Sequence, residues 1–223
     1  GKKMHRQALE LENLGHGFDS EVLFEKGELL LKAGEKLAII GENGVGKTTL
    51  LRCLVNELSN NEGVIKWSEN AAVGYCPQDS GKFFDNELTL MDWMSQWRRP
   101  CHNDLSVRGM LGRMLFTDDD ANKKARNCSG GEKNRLLFGM LMMGDINVLI
   151  MDEPTNHMDI EAIDALNNAL KEFEGTLIFV SHDREFVSSL ATRIIDIKDK
   201  QLVNFQGSLD EYLTSQIVSK KVA

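Results

Sequence analysis

The amino-acid sequence predicts an α/β domain built on a mainly parallel sheet. Short apolar runs at residues 36–40, 148–151 and 176–180 indicate buried strands. The first two runs are followed by stretches in which apolar residues recur at helical spacing. Buried strands that alternate with helices are typical of a parallel sheet covered on both faces.

The first half of the chain supplies a strand, a helix and a second strand. The helix after residues 36–40 is indicated by an apolar stripe, and a further strand is predicted at residues 73–76, before Pro77. Between residues 79 and 127 the pattern changes to scattered apolar residues at helical spacing, which predicts a helical lobe. The stripe comprises Leu50, Leu51, Leu54, Val55 and Leu58, and the lobe carries Trp93, Trp97, Val107, Met110, Leu111, Met114 and Leu115.

The second half repeats the alternation of strands and helices. A Leu- and Met-rich pattern predicts a helix over residues 132–143, and an amphipathic pattern predicts another over residues 160–173. The polar run at residues 117–120 is suited to a helix start. Residues 193–205, with a turn near residues 198–200, are expected to form a closing hairpin.

Composition places the chain among ordinary globular proteins. It has 223 residues, of which 42% are hydrophobic and 27% charged, enough for one substantial domain with a smaller lobe. The net charge of −8 disfavours a free-standing nucleic-acid binder, although a local basic patch is compatible with it.

The cysteines and the apolar segments exclude several other classes. Cys53, Cys76, Cys101 and Cys128 form no CxxC pair, so we expect reduced thiols in a cytoplasmic protein rather than a zinc site or a disulfide framework. No apolar run is long enough to predict a membrane span. The polar, basic beginning resembles the end of a linker.

Residues 41–48 match the phosphate-binding pattern G-x-x-x-x-G-K-[ST]. They lie between a predicted strand and a predicted helix, a context that disfavours a chance match in a glycine-rich turn. Glycines allow backbone amides to point at phosphate oxygens, and the helix N-terminus adds its positive dipole. Lys47 would contact the β- and γ-phosphates, and Thr48 would bind Mg²⁺. The candidate contacts are Gly41, Glu42, Asn43, Gly44, Val45, Gly46, Lys47, Thr48 and Thr49.

Two acids follow the strand at residues 148–151. Ligands of open α/β sheets bind at the carboxyl ends of the strands, where Asp152 and Glu153 are expected. Asp152 would hold Mg²⁺, and Glu153 would accept a proton from, or orient, an attacking water. A pair of solvated acids is the alternative, which the upstream phosphate loop disfavours.

A Ser-Gly-Gly turn opens the helix predicted before those acids. Ser129, Gly130, Gly131 and Glu132 would form a second anion cradle at a helix N-terminus. One nucleotide does not need two cradles from one domain, so the second would serve a nucleotide on a partner. A plain helix cap is the alternative for an isolated motif of this kind.

Single polar and aromatic residues complete the candidate site. His182, after the strand at residues 176–180, could reach a γ-phosphate, and Gln78 could sense Mg²⁺ or the attacking water. The adenine-stacking aromatic is either Phe18 or Phe24, and core packing competes with both. A loop histidine and a surface glutamine are the corresponding structural alternatives.

The loop after Glu153 has a structural interpretation. His157 lies near acids, but a rigid loop with Asp159 capping the next helix explains the segment better than a metal site. Trp93 and Trp97, at i and i+4, are expected to pack the helical lobe.

Taken together, these motifs resemble the nucleotide-binding domain of ATP-binding cassette (ABC) proteins. Their order along the chain carries the resemblance: Phe18, the phosphate loop, Gln78, residues 128–132, residues 148–154 and His182. It implies a P-loop NTPase fold of the ABC type, with a mainly parallel core sheet, an antiparallel β subdomain and a helical signature subdomain. It also implies ATP and Mg²⁺ as cofactors, and Asp159 and the Ser129 turn as nucleotide contacts.

A finer resemblance is to the ABC-F subfamily. Residues 152–159 read Asp-Glu-Pro-Thr-Asn-His-Met-Asp and differ from the subfamily pattern only in having Met158 in place of Leu. Glu132 and the closing segment, residues 205–213, also match the subfamily pattern. ABC-F proteins carry two cassettes in one chain and act on ribosomes, so the resemblance implies a second cassette in cis, or a homodimer in trans. Ribosome or RNA contact would come through regions outside this sequence, with no membrane partner.

The resemblance predicts boundaries and shows one departure. A linker remnant is expected at residues 1–7, the cassette at residues 8–213 with its helical subdomain at about 79–128, and a tail at residues 214–223. Cys128 stands where Leu is usual, which should alter packing more than phosphate contact.

Three functions remain at this point. The first is an ATPase half-site, in which Lys47, Glu153 and His182 are catalytic. The second is a transporter cassette, whose membrane partner would dock near Gln78. The third is a nucleotide-gated module that binds ATP without appreciable hydrolysis. Residues 152–159 and Glu132 favour the first over the second. The presence of all the catalytic side chains argues against the third.

Overall fold

The structure, a computed structural model, describes residues 6–222, with side chains through residue 219. The strands are β1 (Gln7–Phe18), β2 (Glu21–Lys32), β3 (Lys36–Gly41), β4 (Glu62–Trp67), β5 (Val73–Cys76), β6 (Val148–Asp152), β7 (Thr176–Val180), β8 (Arg193–Lys198) and β9 (Gln201–Gln206). The α-helices are α1 (Lys47–Leu54), α2 (Leu90–Ser95), α3 (Asp104–Arg113), α4 (Gly130–Met143), α5 (Ile160–Glu172), α6 (Arg184–Leu190) and α7 (Leu209–Val222). Short 3-10 helices lie at Gly81–Phe84, Asp119–Asn122 and Ala125–Asn127.

A six-stranded sheet forms the centre of the molecule, in the order β5-β6-β7-β3-β8-β9. Neighbouring strands from β5 to β8 are parallel, and β9 pairs antiparallel with β8 as the predicted hairpin. The prediction of a mainly parallel sheet is therefore confirmed.

The core strands are buried on both faces because alternate residues enter two different apolar clusters. In β3, Leu37 and Ile39 enter one cluster and Ala38 the other. In β6, Val148 and Ile150 enter the first of these clusters, and the alternating residues Leu149 and Met151 enter the other. Two-sided burial explains why these strands read as continuous apolar runs in the sequence.

The topology brings the sequence motifs together at one edge of the sheet. Strand β7 lies between β3 and β6, with Val180 opposite both Ile39 and Asp152. The phosphate loop after β3, the two acids after β6 and His182 after β7 therefore leave neighbouring carboxyl ends.

A separate three-stranded antiparallel sheet, in the order β2-β1-β4, forms the antiparallel subdomain that the resemblance implies. The register of β1 against β2 shifts between Leu11 and Leu14, between Leu14 and His16, and between His16 and Gly17. These irregularities bend β1 at the end that leads to Phe18.

The helical lobe packs around Trp93, which is 1% exposed. Its ring stacks on Phe84 with centroids 4.9 Å apart, and its Nε1 donates to the carbonyl of Phe83 at 2.8 Å. Trp97 contacts Trp93 edge-on but remains 40% exposed. The helix start predicted at residues 117–120 yields only the 3-10 helix Asp119–Asn122, because no apolar stripe follows it.

The predicted ends of the domain are partly described. Lys2 and Lys3, which carry the linker prediction together with Arg6, lie outside the described residues, as does Ala223. Gln7, at the end of the predicted linker remnant, already belongs to β1. Helix α7 continues through the range predicted as a tail and is anchored by Tyr212, whose hydroxyl donates to Asp196 Oδ2 at 2.7 Å. Among residues 6–222, no helix has the length and apolar character needed to cross a membrane.

Candidate nucleotide site

The phosphate loop connects β3 to α1 through backbone conformations that favour glycine. Gly44 and Gly46 have φ of 82° and 110°, and Gly46 is the N-terminal cap of α1. A Cβ on Gly46 would also lie 3.2 Å from the Cβ of Leu23. The loop therefore requires glycine at residue 46, and its curvature exposes amide groups in front of the helix N-terminus.

Lys47 folds back onto this loop. Its Nζ donates to the carbonyl oxygens of Gly41 at 2.8 Å and Glu42 at 2.7 Å. Burial lowers the pKa of its ammonium group, and the nearby carboxylates of Glu153 and Asp152 oppose that shift. The amine is thereby held at the centre of the loop, where it can exchange loop carbonyls for phosphate oxygens.

Asp152 is a buried acid without an aligned hydrogen bond. It is 2% exposed, and neither Oδ1 nor Oδ2 has a hydrogen-bond partner among the described residues. Burial raises the pKa of its carboxyl above the ordinary value of 3.8, while the neighbouring Thr48 hydroxyl and Lys47 ammonium oppose the shift. Such a carboxylate is suited to bind a cation, whose charge would offset its desolvation.

These oxygens fit a magnesium ion that arrives with phosphate groups. Thr48, Gln78 and Asp152 line one cavity of about 600 Å³. Within residues 6–222, no group of three or more His, Cys, Asp or Glu side chains could hold a metal by itself. Mg²⁺ is commonly bound by one or two carboxylates together with water and substrate phosphates, which matches this donor set.

Glu153 is buried against His182. Its Oε2 accepts a hydrogen bond from the backbone N–H of His182 at 3.2 Å, and its Oε1 lies 3.0 Å from His182 Nε2. The second contact is a close approach rather than an aligned hydrogen bond. Burial raises the pKa of the Glu153 carboxyl, and the His182 backbone amide opposes that shift. The imidazole remains largely exposed, so it can contact both Glu153 and a ligand.

One cavity of about 430 Å³ collects most of the predicted contacts. The structure separates the two candidate aromatics: Phe18 lines this cavity and is 49% exposed, whereas Phe24 is fully buried in the core. The lining consists of Phe18, Leu23, Asn43, Gly44, Gly46, Lys47, Thr48, Thr49, Gln78, Glu153, Asn156, Val180 and His182. The nucleotide role of each of these side chains stays a prediction.

Asn156 lines this cavity but was not among the predicted contacts. The only sequence signal for it is a polar amide three residues after Glu153, in the loop to which we assigned a structural role. That loop is compact, because the amide of Asn156 donates to the carbonyl of Glu153 at 3.2 Å.

The Ser129 turn lies outside the lining of this cavity. Ser129 Oγ accepts from the amide of Glu132 at 3.2 Å, and Glu132 Oε2 accepts from the amide of Ser129 at 2.7 Å. Lys123 Nζ donates to both carboxylate oxygens of Glu132 at 2.9 and 3.0 Å. Glu132 therefore stabilises the turn as a capping box, while Ser129 and Gly130 remain exposed.

The remaining predicted contacts have mainly structural surroundings. Asp159 caps α5 by accepting from the amide of Ala162 at 2.8 Å, as expected. Glu42 is exposed, and Val45 packs against the core cluster of β3. The part of these residues in nucleotide binding stays a prediction.

We expect Asp152→Asn to stabilise the nucleotide-free chain at pH 7. Because the carboxyl has a folded-state pKa above 3.8, ionisation favours the unfolded chain, and stability falls as pH rises through the folded pKa. The gain in stability from the substitution should therefore shrink as pH falls toward 3.8.

Urea unfolding at several pH values measures this effect. The exposed Asp164→Asn on α5 controls for the change in net charge. If Asp152→Asn is no more stable than this control at pH 7, ionisation of Asp152 does not destabilise the folded chain and the prediction is wrong.

Comparison with known proteins relates this chain to ATP-binding proteins. The ABC transporter family model matches residues 24–156. The chain is 55% identical over 215 residues to the probable ATP-binding protein YbiT of Escherichia coli O157:H7, which covers 96% of the chain and 41% of YbiT. It is 35% identical to ABC transporter F family member 5 of Arabidopsis thaliana, over 95% of the chain and 31% of that protein.

Solved structures show the same fold. A bacterial Atm1-family ABC exporter with ATP bound superimposes with a TM-score of 0.79 at 20% identity, over 99% of this chain and 43% of the exporter chain. CbiO1 of Clostridium perfringens superimposes with a TM-score of 0.74 at 23% identity, over 98% of this chain and 95% of that chain. The region of Trp93 and Trp97, and the domain as a whole, predict a similarity to the second cassette of YbiT. The 55% identity confirms the similarity to YbiT. The chain belongs to the ABC family and is a nucleotide-binding domain of an ABC ATPase.

Proposed function

We propose that this chain is the C-terminal cassette of an ABC-F protein that hydrolyses ATP with Mg²⁺ at the interface of two cassettes. The observation that carries the proposal is the separation of two anion-binding features in one chain. The phosphate loop opens into a cavity that the Ser129 turn does not line, while the Ser129 turn is exposed elsewhere. Each feature lacks the other half of a closed site, which a facing cassette supplies.

The residues of the cavity divide the chemistry among them. The loop amides and Lys47 bind the phosphates, and Phe18 stacks on the base. Thr48, Gln78 and Asp152 would hold Mg²⁺, which would neutralise charge at the phosphate oxygens. Glu153 accepts a proton from the attacking water as the bond to the γ-phosphorus forms and the bond to ADP breaks, and His182 orients Glu153 and contacts the γ-phosphate.

Turnover of ATP with and without metal tests the hydrolysis. The chain should release phosphate from ATP in the presence of Mg²⁺, and EDTA should abolish that release. Phosphate release that persists in EDTA would contradict the assignment of Thr48, Gln78 and Asp152 to a metal.

The ribosomal part of the proposal rests on residues 152–159 and Glu132, together with the similarity to F family members. We place the protein in the cytoplasm, where closure of the cassettes on ATP would favour ribosome binding and hydrolysis would favour release. The two-cassette protein should cosediment with ribosomes in the presence of ATP. Cosedimentation that is absent, or that is equal with and without ATP, would contradict the proposal.

One feature favours the alternative, a cassette that serves a membrane partner. The cavity of about 600 Å³ beside Gln78 also includes Pro77 and Phe83, where a partner helix could dock. Copurification of the two-cassette protein with an integral membrane protein, in place of ribosomes, would support this function.

We expect Phe18→Ala to weaken ATP binding about tenfold, because stacking of a base on an aromatic ring typically contributes about 1–3 kcal/mol. The free energy of unfolding should change little, since the ring is half exposed. Leu30→Ala is a matched control, because Leu30 is 50% exposed on β2 and lies outside the cavity lining. Calorimetric titration with ATP measures both variants, and equal affinities would exclude Phe18 as the stacking residue.

A further inference from the structure

The loop after β6 is held in a single compact conformation. Glu153 and His157 have φ of 49° and 62°, in the left-handed region that non-glycine residues seldom adopt. The amide of Met158 donates to the carbonyl of Thr155 at 3.1 Å, and the amide of Glu153 donates to Val180 at 2.9 Å. These backbone hydrogen bonds tie the turns of the loop to one another and to the end of β7.

The first turn of α4 lies directly against this loop. A Cβ on Gly131 would be 2.4 Å from the carbonyl oxygen of His157, so glycine permits backbone to pack on backbone there. A Cβ on Gly130 would be 3.3 Å from His157 Cδ2. One turn further along α4, Asn134 Nδ2 donates to the carbonyl of Asn156 at 3.3 Å. Asn156 itself lines the nucleotide cavity.

The other end of α4 belongs to the helical lobe. A Cβ on Gly139 would lie 3.0 Å from Met94 and 3.1 Å from Met114, so the lobe packs closely on that part of the helix. Helix α4 therefore contacts the loop after β6 at its N-terminal turn and the helical lobe further along. The hydrogen bond from Asn134 to the Asn156 carbonyl joins the N-terminal part of α4 to the loop after β6.

We propose that Asn134 is a positioning residue that couples the Ser129 turn to nucleotide bound in the phosphate loop of the same chain. The coupling runs from Glu153 and Asn156 in the cavity to the Asn156 carbonyl, and from there through Asn134 to the start of α4. Because the Ser129 turn completes the site of the facing cassette, occupancy of one site would prepare the other. The proposal rests on the two-cassette function described above.

Amide hydrogen exchange on the monomeric chain tests the coupling without a partner. The measurement is made with and without ATP and Mg²⁺, at a concentration where sedimentation shows monomer. ATP should slow exchange at residues 44–49 and also at residues 130–134. In Asn134→Ala the slowing at residues 44–49 should remain, whereas that at residues 130–134 should fall about fivefold, the effect expected for one hydrogen bond.

Two further variants sharpen the result. Asn134→Asp keeps the size of the side chain without its N–H donor and takes the place of Asn134→Ala where that variant folds poorly. The same loss of slowing at residues 130–134 is expected. Asn167→Ala removes another asparagine hydrogen bond, to Ser189 at 2.8 Å, and should leave both responses intact.

The possible results distinguish a failure of the coupling from a failure of the proposed function. Unchanged exchange at residues 44–49 would contradict ATP binding and hence the proposed function. Slowing at residues 44–49 without slowing at residues 130–134 would overturn the coupling alone. Full slowing at residues 130–134 in both Asn134 variants would overturn the role of Asn134.

Discussion

Replacing Glu153 with Gln is expected to lower ATP turnover by about two to four orders of magnitude, the usual contribution of a general base. The amide keeps the shape of the side chain and can still accept from the His182 backbone, but it cannot take up the proton of the attacking water. ATP binding should persist, because the phosphate loop is unchanged. The two-cassette protein should accumulate in a closed, ATP-bound form.

Phosphate release measures the loss of turnover, and retention of labelled ATP measures the accumulation of the ATP-bound form. Glu161→Gln is a suitable control, since Glu161 is an exposed acid in the first turn of α5. Turnover of Glu153→Gln equal to that of the control would remove Glu153 from the mechanism and leave Asp152 as the acid to test.

Replacing Lys47 with Ala is expected to weaken ATP binding at least about 100-fold, because under the proposed function its ammonium contacts two phosphates and each hydrogen bond to a charged group contributes roughly 1.5–3 kcal/mol. The variant also removes the positive charge that opposes the raised pKa of the buried Asp152 and Glu153 carboxyls. Turnover should fall with the loss of binding.

Equilibrium titration with ATP and Mg²⁺ measures this loss, and circular dichroism verifies that the variant is folded. Lys32→Ala, an exposed lysine at the end of β2, changes the net charge equally and should bind ATP normally. Affinity of Lys47→Ala within a few-fold of this control would mean that the loop amides alone hold the phosphates.

Much of the central sheet could be predicted from the sequence because its signals are local. Strands β3, β6 and β7 are buried on both faces and therefore read as apolar runs. The phosphate loop and the acids after β6 could be located because each motif follows such a strand. Their proximity followed from the rule that parallel strands end at one edge.

The antiparallel sheet was less accessible to the same reasoning. Strand β1 changes register against β2 several times, so the alternation of its side chains is interrupted. Alternation alone could not show whether Phe18 or Phe24 faces the core, and the resemblance supplied the subdomain itself. The structure separates the two rings by burial.

The hydrogen bond between Asn134 and Asn156 had no sequence signal. Both asparagines are ordinary polar residues beside recognised motifs, and their significance depends on the packing of α4 against a loop more than 20 residues away in the chain. Likewise, the capping box of Glu132 is local, but the exposure of the Ser129 turn away from the cavity is a property of the whole fold.

Under the proposed function, this chain contains half of each of two catalytic sites. Turnover per chain, measured against the concentration of the 223-residue domain at saturating ATP and Mg²⁺, tests it most directly. Turnover per chain should rise with concentration as domains pair. An excess of Glu153→Gln chains, whose Ser129 turn is intact, should raise the turnover of dilute wild-type chains. Turnover per chain that is constant over the whole range would contradict it.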